Sequence, residues 1–166
     1  MKNMLISAAR ECGVEISEGM AESMERYWTY LKEVNESMNL TRVESDEEAV
    51  SRHFVDSLIP LKFDIIPAGA GMMDLGSGAG FPGMPLAIAR PDVHVTLVDS
   101  LGKRVNFLKE AANRAGVNID AVHARAEEAA KGDMREKFDI VTARAVARLN
   151  VLCELTLPLV KVGGCF

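Results

Sequence analysis

Cysteine is scarce. Cys12, Cys153 and Cys165 are the three in 166 residues, widely spaced and odd in number, with no C-x-x-C pair. A disulfide framework or a zinc site is therefore not expected, nor is a metal. Aromatics make up 5% of the chain, and no apolar run approaches the ~18–20 residues of a membrane span. The N-terminal MKNMLISAAREC has a short apolar run broken by Arg10 and Glu11, with no small-residue cleavage site after it, so no signal peptide is expected. The reading is a reduced, cytoplasmic protein without membrane partners. A basic excess is also missing. Net charge is −5, and the acid sits in the first part: residues 1–70 carry 7 Lys+Arg against 13 Asp+Glu, and residues 71–166 carry 12 against 11. Any nucleic-acid contact must then be local or shape-directed.

What remains is ordinary: 48% hydrophobic and 26% charged residues, enough to bury one core. Three helical segments open the chain. Met4, Leu5, Ala8 and Cys12 recur at helical spacing before Gly13, and Met20, Met24, Tyr27, Leu31 and Val34 form a stripe over residues 18–38. Ser45 and Glu48 fit a capping box, followed by the apolar face Val50, Phe54 and Leu58. From residue 71 short apolar runs (Met72–Leu75, Val93–Val98, Ala121–Ala124, Phe138–Thr142) alternate with helical stretches at about 84–90, 102–115, 126–131 and 148–157. That rhythm predicts an α/β protein, a parallel sheet with helices on both faces.

The segment MMDLGSGAGFPGMPLA places Gly76, Gly78 and Gly80 between a strand and a helix. Glycines serve there where backbone turns tightly or approaches a ligand. Asp99 ends the next strand, 23 residues beyond Gly76. At the carboxyl edge of such a sheet an acid can accept both hydroxyls of a ribose. A dinucleotide fingerprint counted from Gly76 would need glycine where Phe81 stands, and Pro82 and Pro85 intrude. S-adenosylmethionine (SAM) carries no phosphate and needs only a glycine loop and an acid, so it fits better than NAD. Ser77 and Ser100 flank these two elements and complete the expected donor site.

After the fourth run comes Thr142-Ala143-Arg144-Ala145-Val146-Ala147-Arg148. There is no Asn/Asp-Pro-Pro-aromatic turn of the kind that serves exocyclic amines. No cysteine nucleophile stands at a strand tip, and Cys153 reads as helix core. Arg144 and Arg148, expected one helical turn apart, suit phosphate or a guanine edge. Guanine N7 already presents a lone pair without a proton, so positioning alone would serve it. Lys103 and Arg104 open the second helix of the α/β part and are candidates for RNA phosphate. His53 and Asp56 are candidates for facing the cleft.

Asn39-Leu40-Thr41, Arg52-His53-Phe54-Val55-Asp56-Ser57, Asp74 to Gly83, Val98-Asp99-Ser100-Leu101-Gly102-Lys103-Arg104 and Ala143-Arg144-Ala145 together resemble the RsmG family, also called glucose-inhibited division protein B. The resemblance runs from about residue 35 to the last residue. It implies a Rossmann-like SAM-dependent methyltransferase sheet with an N-terminal helical extension (residues 1–66 before a donor domain at 67–166). The family's substrate is 16S ribosomal RNA, at a guanine N7 in the 530 loop. By position it implies that Gly76, Phe81, Ala126, Glu127 and Arg144 lie around SAM. Family members continue beyond Phe166, so the resemblance also implies a sheet cut short after about its fourth or fifth strand, with the fourth at or near a bare edge. Two other readings stand beside methyl transfer: a weakly active or non-catalytic SAM/RNA-binding fragment, and an NAD-type oxidoreductase.

Overall fold

A computed structural model describes residues 1–166. Helix α1 (Lys2–Glu11) and the long α2 (Glu18–Met38) come first. α2 starts because the Ser17 hydroxyl accepts the Met20 amide, and it stops where Asn39 turns left-handed at φ 50°. α3 (Asp46–Ala49) runs through a π-helical stretch at Val50–Val55 into α4 (Asp56–Leu58) and a 3-10 turn at Ile59–Phe63. Five strands then alternate with helices: β1 (Gly71–Leu75), α5 (Gly83–Ala89), β2 (His94–Asp99), α6 (Gly102–Ala115), β3 (Asp120–His123), α7 (Ala126–Ala129), β4 (Phe138–Thr142), α8 (Leu149–Thr156) and β5 (Val160–Cys165).

All pairings are parallel and the order is β3-β2-β1-β4-β5. The switch point thus falls at β1, whose neighbours are β2 and β4. Alternation sorts β1 between two faces. Met72 and Asp74 point toward α2, α5 and α6, and Met73 and Leu75 point toward α7 and α8. The first face carries one core of 31 buried residues, which runs without a break from Leu5 in α1 to Ala115 at the end of α6. The second carries nine. Arg26 of α2 fastens the first layer by donating from Nε to the Arg114 carbonyl (3.0 Å) and from Nη2 to the Ala115 carbonyl (2.9 Å), the last residues of α6.

Two expectations need correcting and one is sharpened. β4 lies one strand in from the edge: β5 pairs outside it, Phe138 with Val160 and Ile140 with Cys165, and Lys161 reaches Asp139 at 2.9 Å. The capping box at Ser45 is half made. Its hydroxyl accepts the Glu48 amide (3.2 Å), but the Glu48 carboxylate turns to Arg52 (2.6 Å). Arg144 and Arg148 do not share a helix either. Residues 144–147 form bends with Ala145 left-handed at φ 58°, and Arg148 is the N-cap of α8.

Candidate functional site

The loop after β1 is pinned from three sides. Gly76 and Ser77 both donate their amides to the Val98 carbonyl (2.8 and 3.0 Å), which holds the turn against the end of β2. The Ser77 hydroxyl donates back to the Asp74 carbonyl (2.8 Å). Gly76 (φ 70°) and Gly80 (φ 103°) adopt backbone that side chains rarely accept, and a Cβ on Gly80 would stand 2.8 Å from the Tyr27 hydroxyl oxygen. Tyr27 in turn donates its hydroxyl to the Ala79 carbonyl.

Asp74 lies beneath this loop, fully buried. It accepts the Thr142 hydroxyl (2.9 Å) and the Gly83 amide (3.2 Å), tying β1 to β4 and to the first residue of α5. Burial pushes its carboxyl up to about 6, against the pull of the Thr142 and Gly83 hydrogen bonds.

Asp99, at the tip of β2, is 3% exposed. Its Oδ2 accepts the Gly78 amide and its Oδ1 the Leu101 amide, both at 2.9 Å. The second link joins the carboxylate to the residue before α6, and the first joins it to the glycine loop. A carboxylate has about four lone-pair sites. Two are used here, so each oxygen keeps one for an outside donor. Arg104 approaches Oδ2 at 3.6 Å and supplies a neighbouring positive charge. The cavity beside Asp99 measures about 430 Å³ and is lined by Leu75, Gly76, Val98, Asp99, Ser100, Arg104, Ala124–Glu127, Ala145, Val146 and Leu155. It opens at the carboxyl ends of β1, β2 and β3, the side on which open parallel sheets take ligands, and its size suits a small molecule. A larger hollow of about 610 Å³ lies between α6 and β3, reaching Asp120 and Phe138, the first residues of β3 and β4. It touches no glycine loop and no strand-tip acid, so the smaller cavity is the candidate site.

A second cluster sits across the loop. Arg144 Nη1 donates to Asp56 Oδ2 and to the Arg52 carbonyl, each at 3.1 Å, and its guanidinium lies 5.3 Å from the Phe81 ring centroid. The His53 ring stacks on Phe81 at 4.5 Å, and its Nε2 is 2.8 Å from the Thr41 hydroxyl. That hydroxyl already accepts the Val43 amide, so its proton is free for Nε2. Burial, together with the Arg144 charge, lowers the His53 pKa and favours the neutral ring.

The structure therefore divides the residues expected around a donor. Gly76, Asp99, Ser100, Ala126 and Glu127 line the cavity, with Arg104 beside them. Gly78 joins through its amide. Ser77, Gly80 and Phe81 are buried outside the lining, because Phe81 finds Tyr27 (5.3 Å) and Phe54 (5.3 Å) as partners in the helical layer. Arg144 and His53 belong to the second cluster, while Lys103 and Arg148 are exposed near the rim elements. Cys153 is half-buried on α8. Sequence reasoning missed Val146 in the lining and the structural part of Asp74. An acid closing an apolar strand run was a usable signal for Asp74. No local signal marked Val146. No group of three His, Cys, Asp or Glu side chains could hold a metal ion, and no helix is long and apolar enough to cross a membrane.

Residues 20–166 match the family model described as rRNA small subunit methyltransferase G. The ribosomal RNA small subunit methyltransferase G of Clostridium beijerinckii is 46% identical over 99% of this chain and 70% of its own length. That of Lachnoclostridium phytofermentans is 51% identical over 97% of this chain and 67% of its own. Among solved structures, a Plasmodium falciparum chain described as a protein-L-isoaspartate O-methyltransferase, in complex with S-adenosyl-L-homocysteine, superposes with a TM-score of 0.61 at 20% identity, over 96% of this chain and 79% of that one. A SAM-dependent methyltransferase from Thiobacillus denitrificans gives 0.52 at 22%, over 84% and 52%. At such identities these two structures speak for the fold alone.

Proposed function

Since the chain belongs to the rRNA small subunit methyltransferase G family, we propose that its cavity binds SAM and that the protein methylates N7 of a guanine in the 530 loop of 16S ribosomal RNA. The observation that carries the donor half is Asp99. Its carboxylate is buried at a strand tip and held by two amides, with one acceptor site left on each oxygen toward the cavity. A ribose offers two adjacent hydroxyls to such a pair. The glycine loop supports the same reading, since Gly76 presents bare backbone to the cavity. A dinucleotide fits less well. The Gly83 amide at the start of α5 already donates to Asp74, so that helix end has one donor fewer for a pyrophosphate.

Bound there, SAM would supply an electrophilic methyl group on its sulfonium. The residues of this chain then have binding and orienting work to do. Asp99, the Gly76–Gly80 turn and Ser100 hold the adenosyl end, with the Ala126–Glu127 backbone at the start of α7 beside them. N7 needs no base to remove a proton, so positioning supplies the rate, and ~7–11 kcal/mol is available from orientation alone. Lys103, Arg104 and Arg148 are the cations placed to meet RNA phosphate at the carboxyl edge. His53, stacked on Phe81 beside Arg144 in the helical layer, is the fourth candidate for RNA contact. On this reading residues 67–166 carry the donor site, and the helical residues 1–66 lend it a packed flank.

Methyl transfer from labelled SAM to 16S RNA or 30S particles, followed by mapping of the modified base, tests the whole reading. Label at a guanine N7 of the 530 loop is expected. Label at another base class would contradict the substrate. Titration heat with NAD and none with SAM would contradict the donor.

A further inference from the structure

The loop after β1 is held by the sheet at one end and by the helical layer at the other. At its near end the Gly76 and Ser77 amides go to the Val98 carbonyl and the Gly78 amide to Asp99, all in β2. At its far end the Ala79–Gly80 peptide unit is fixed on both sides. Its amide donates to the Ser77 carbonyl (2.7 Å), and its carbonyl accepts the Tyr27 hydroxyl. Tyr27 belongs to α2, 52 residues before Ala79, and is fully buried. Burial raises its pKa, which keeps the phenol a donor. Its ring packs on Phe81 at 5.3 Å, and a Cβ on Gly80 would stand 2.8 Å from its oxygen, so the bare glycine is what admits this approach. The residue before it, Arg26, donates to the Arg114 and Ala115 carbonyls at the end of α6. Neighbouring side chains of α2 therefore tie it to the α/β layer at separate points, and one of those points is the loop itself.

We propose that Tyr27 is a positioning residue for the donor loop, its hydroxyl holding the Ala79–Gly80 peptide so that the loop keeps the shape that receives SAM. Full burial keeps the tyrosine off the donor, so it acts only through the loop. The inference rests on the donor reading above and deepens it, since α2 then serves donor binding as well as packing. The rival is a tyrosine that only fills space. Tyr27→Phe separates the two. It keeps the ring against Phe54 and Phe81 and removes the hydroxyl alone, which leaves the Ala79 carbonyl without that donor.

Calorimetric titration of the full chain with S-adenosylhomocysteine, alongside thermal melting, compares wild type, Tyr27→Phe and Leu5→Ala. Leu5 is fully buried in the same core but sits in α1. Positioning predicts that Tyr27→Phe weakens binding about threefold to tenfold, the size of one lost neutral hydrogen bond. Leu5→Ala should lower the melting temperature further and leave the affinity within about twofold of wild type. Unchanged affinity in Tyr27→Phe overturns the inference and leaves the tyrosine a packing residue. An equal loss of affinity in Leu5→Ala overturns it too, because binding would then merely follow stability. A second readout needs no change at Tyr27. The chain has two tyrosines, Tyr27 and Tyr30, so isotope labelling of the phenolic carbon gives a simple spectrum that Tyr30→Phe assigns. The Tyr27 signal should shift saturably as S-adenosylhomocysteine binds, and a signal that stays fixed while heat is released overturns the inference. Failure of the wild-type chain to bind S-adenosylhomocysteine overturns the donor reading, and this inference with it.

Discussion

The two faces of the sheet are unequally furnished. The face under α2, α5 and α6 holds a 31-residue core with Trp28, Tyr27 and Phe54 at its centre, while the face under α7 and α8 holds nine buried residues, with Leu149 (70% exposed) and Leu157 (57% exposed) left at the surface. The heavily packed side also contains the buried carboxylate of Asp74 and the far end of the glycine loop, at Ala79 and Phe81. Order at that end of the loop therefore rests on one face. A large interdigitated core gives each of its side chains a fixed place and makes any void costly.

Substitutions can break that comparison. Phe54→Ala empties a site bounded by Tyr27, Trp28 and Phe81 and should cost about 3–5 kcal/mol of folding stability. Leu159→Ala on the sparse face should cost about 2–3 kcal/mol, near the lower end for such changes, because its smaller cluster can close in. Denaturant unfolding of both variants measures the contrast, and equal losses would contradict it.

Asp74 sharpens the comparison through pH. Its carboxyl titrates at about 6 in the folded chain, above the ordinary 3.8. A raised acid favours the folded state most when protonated. Its contribution is thus complete below pH 3.8 and lost as pH rises through 6, a swing of about 3 kcal/mol for two pKa units. Asp74→Asn should remove that component. The stability difference between variant and wild type, measured from pH 4 to 7, should move in the variant's favour as pH rises. A difference that stays flat across this window would show that the carboxylate is not desolvated.

Much of this architecture was legible in the residues. The four apolar runs between 72 and 142 became four strands within a residue or two of their expected ends, and the stretch over 102–115 became α6. Hydrophobic periodicity is local, so it survives translation into structure. β5 was harder, because Gly163 and Gly164 follow its two valines with no side chain to pack. The candidate site was half legible. Gly76 and Asp99 follow from spacing along the chain. The fate of Phe81 and Arg144 depends on helices some 50 to 90 residues earlier, namely Tyr27 in α2 and Asp56 in α4. No local pattern announces a partner at that separation. The half-made cap at Ser45 has a different, local cause, since Arg52 one helical turn on competes for the Glu48 carboxylate.

The central claim is that Asp99 and the loop at Gly76–Gly80 form one receptor for the adenosyl end of a methyl donor. Amide chemical-shift mapping of the full chain during titration with S-adenosylhomocysteine tests it most directly. The largest, saturable shifts are predicted at Gly78 and Leu101, the two amides bonded to Asp99, and they should vanish in Asp99→Ala. Saturable shifts confined to the hollow between α6 and β3, with Gly78 and Leu101 unmoved, would contradict it.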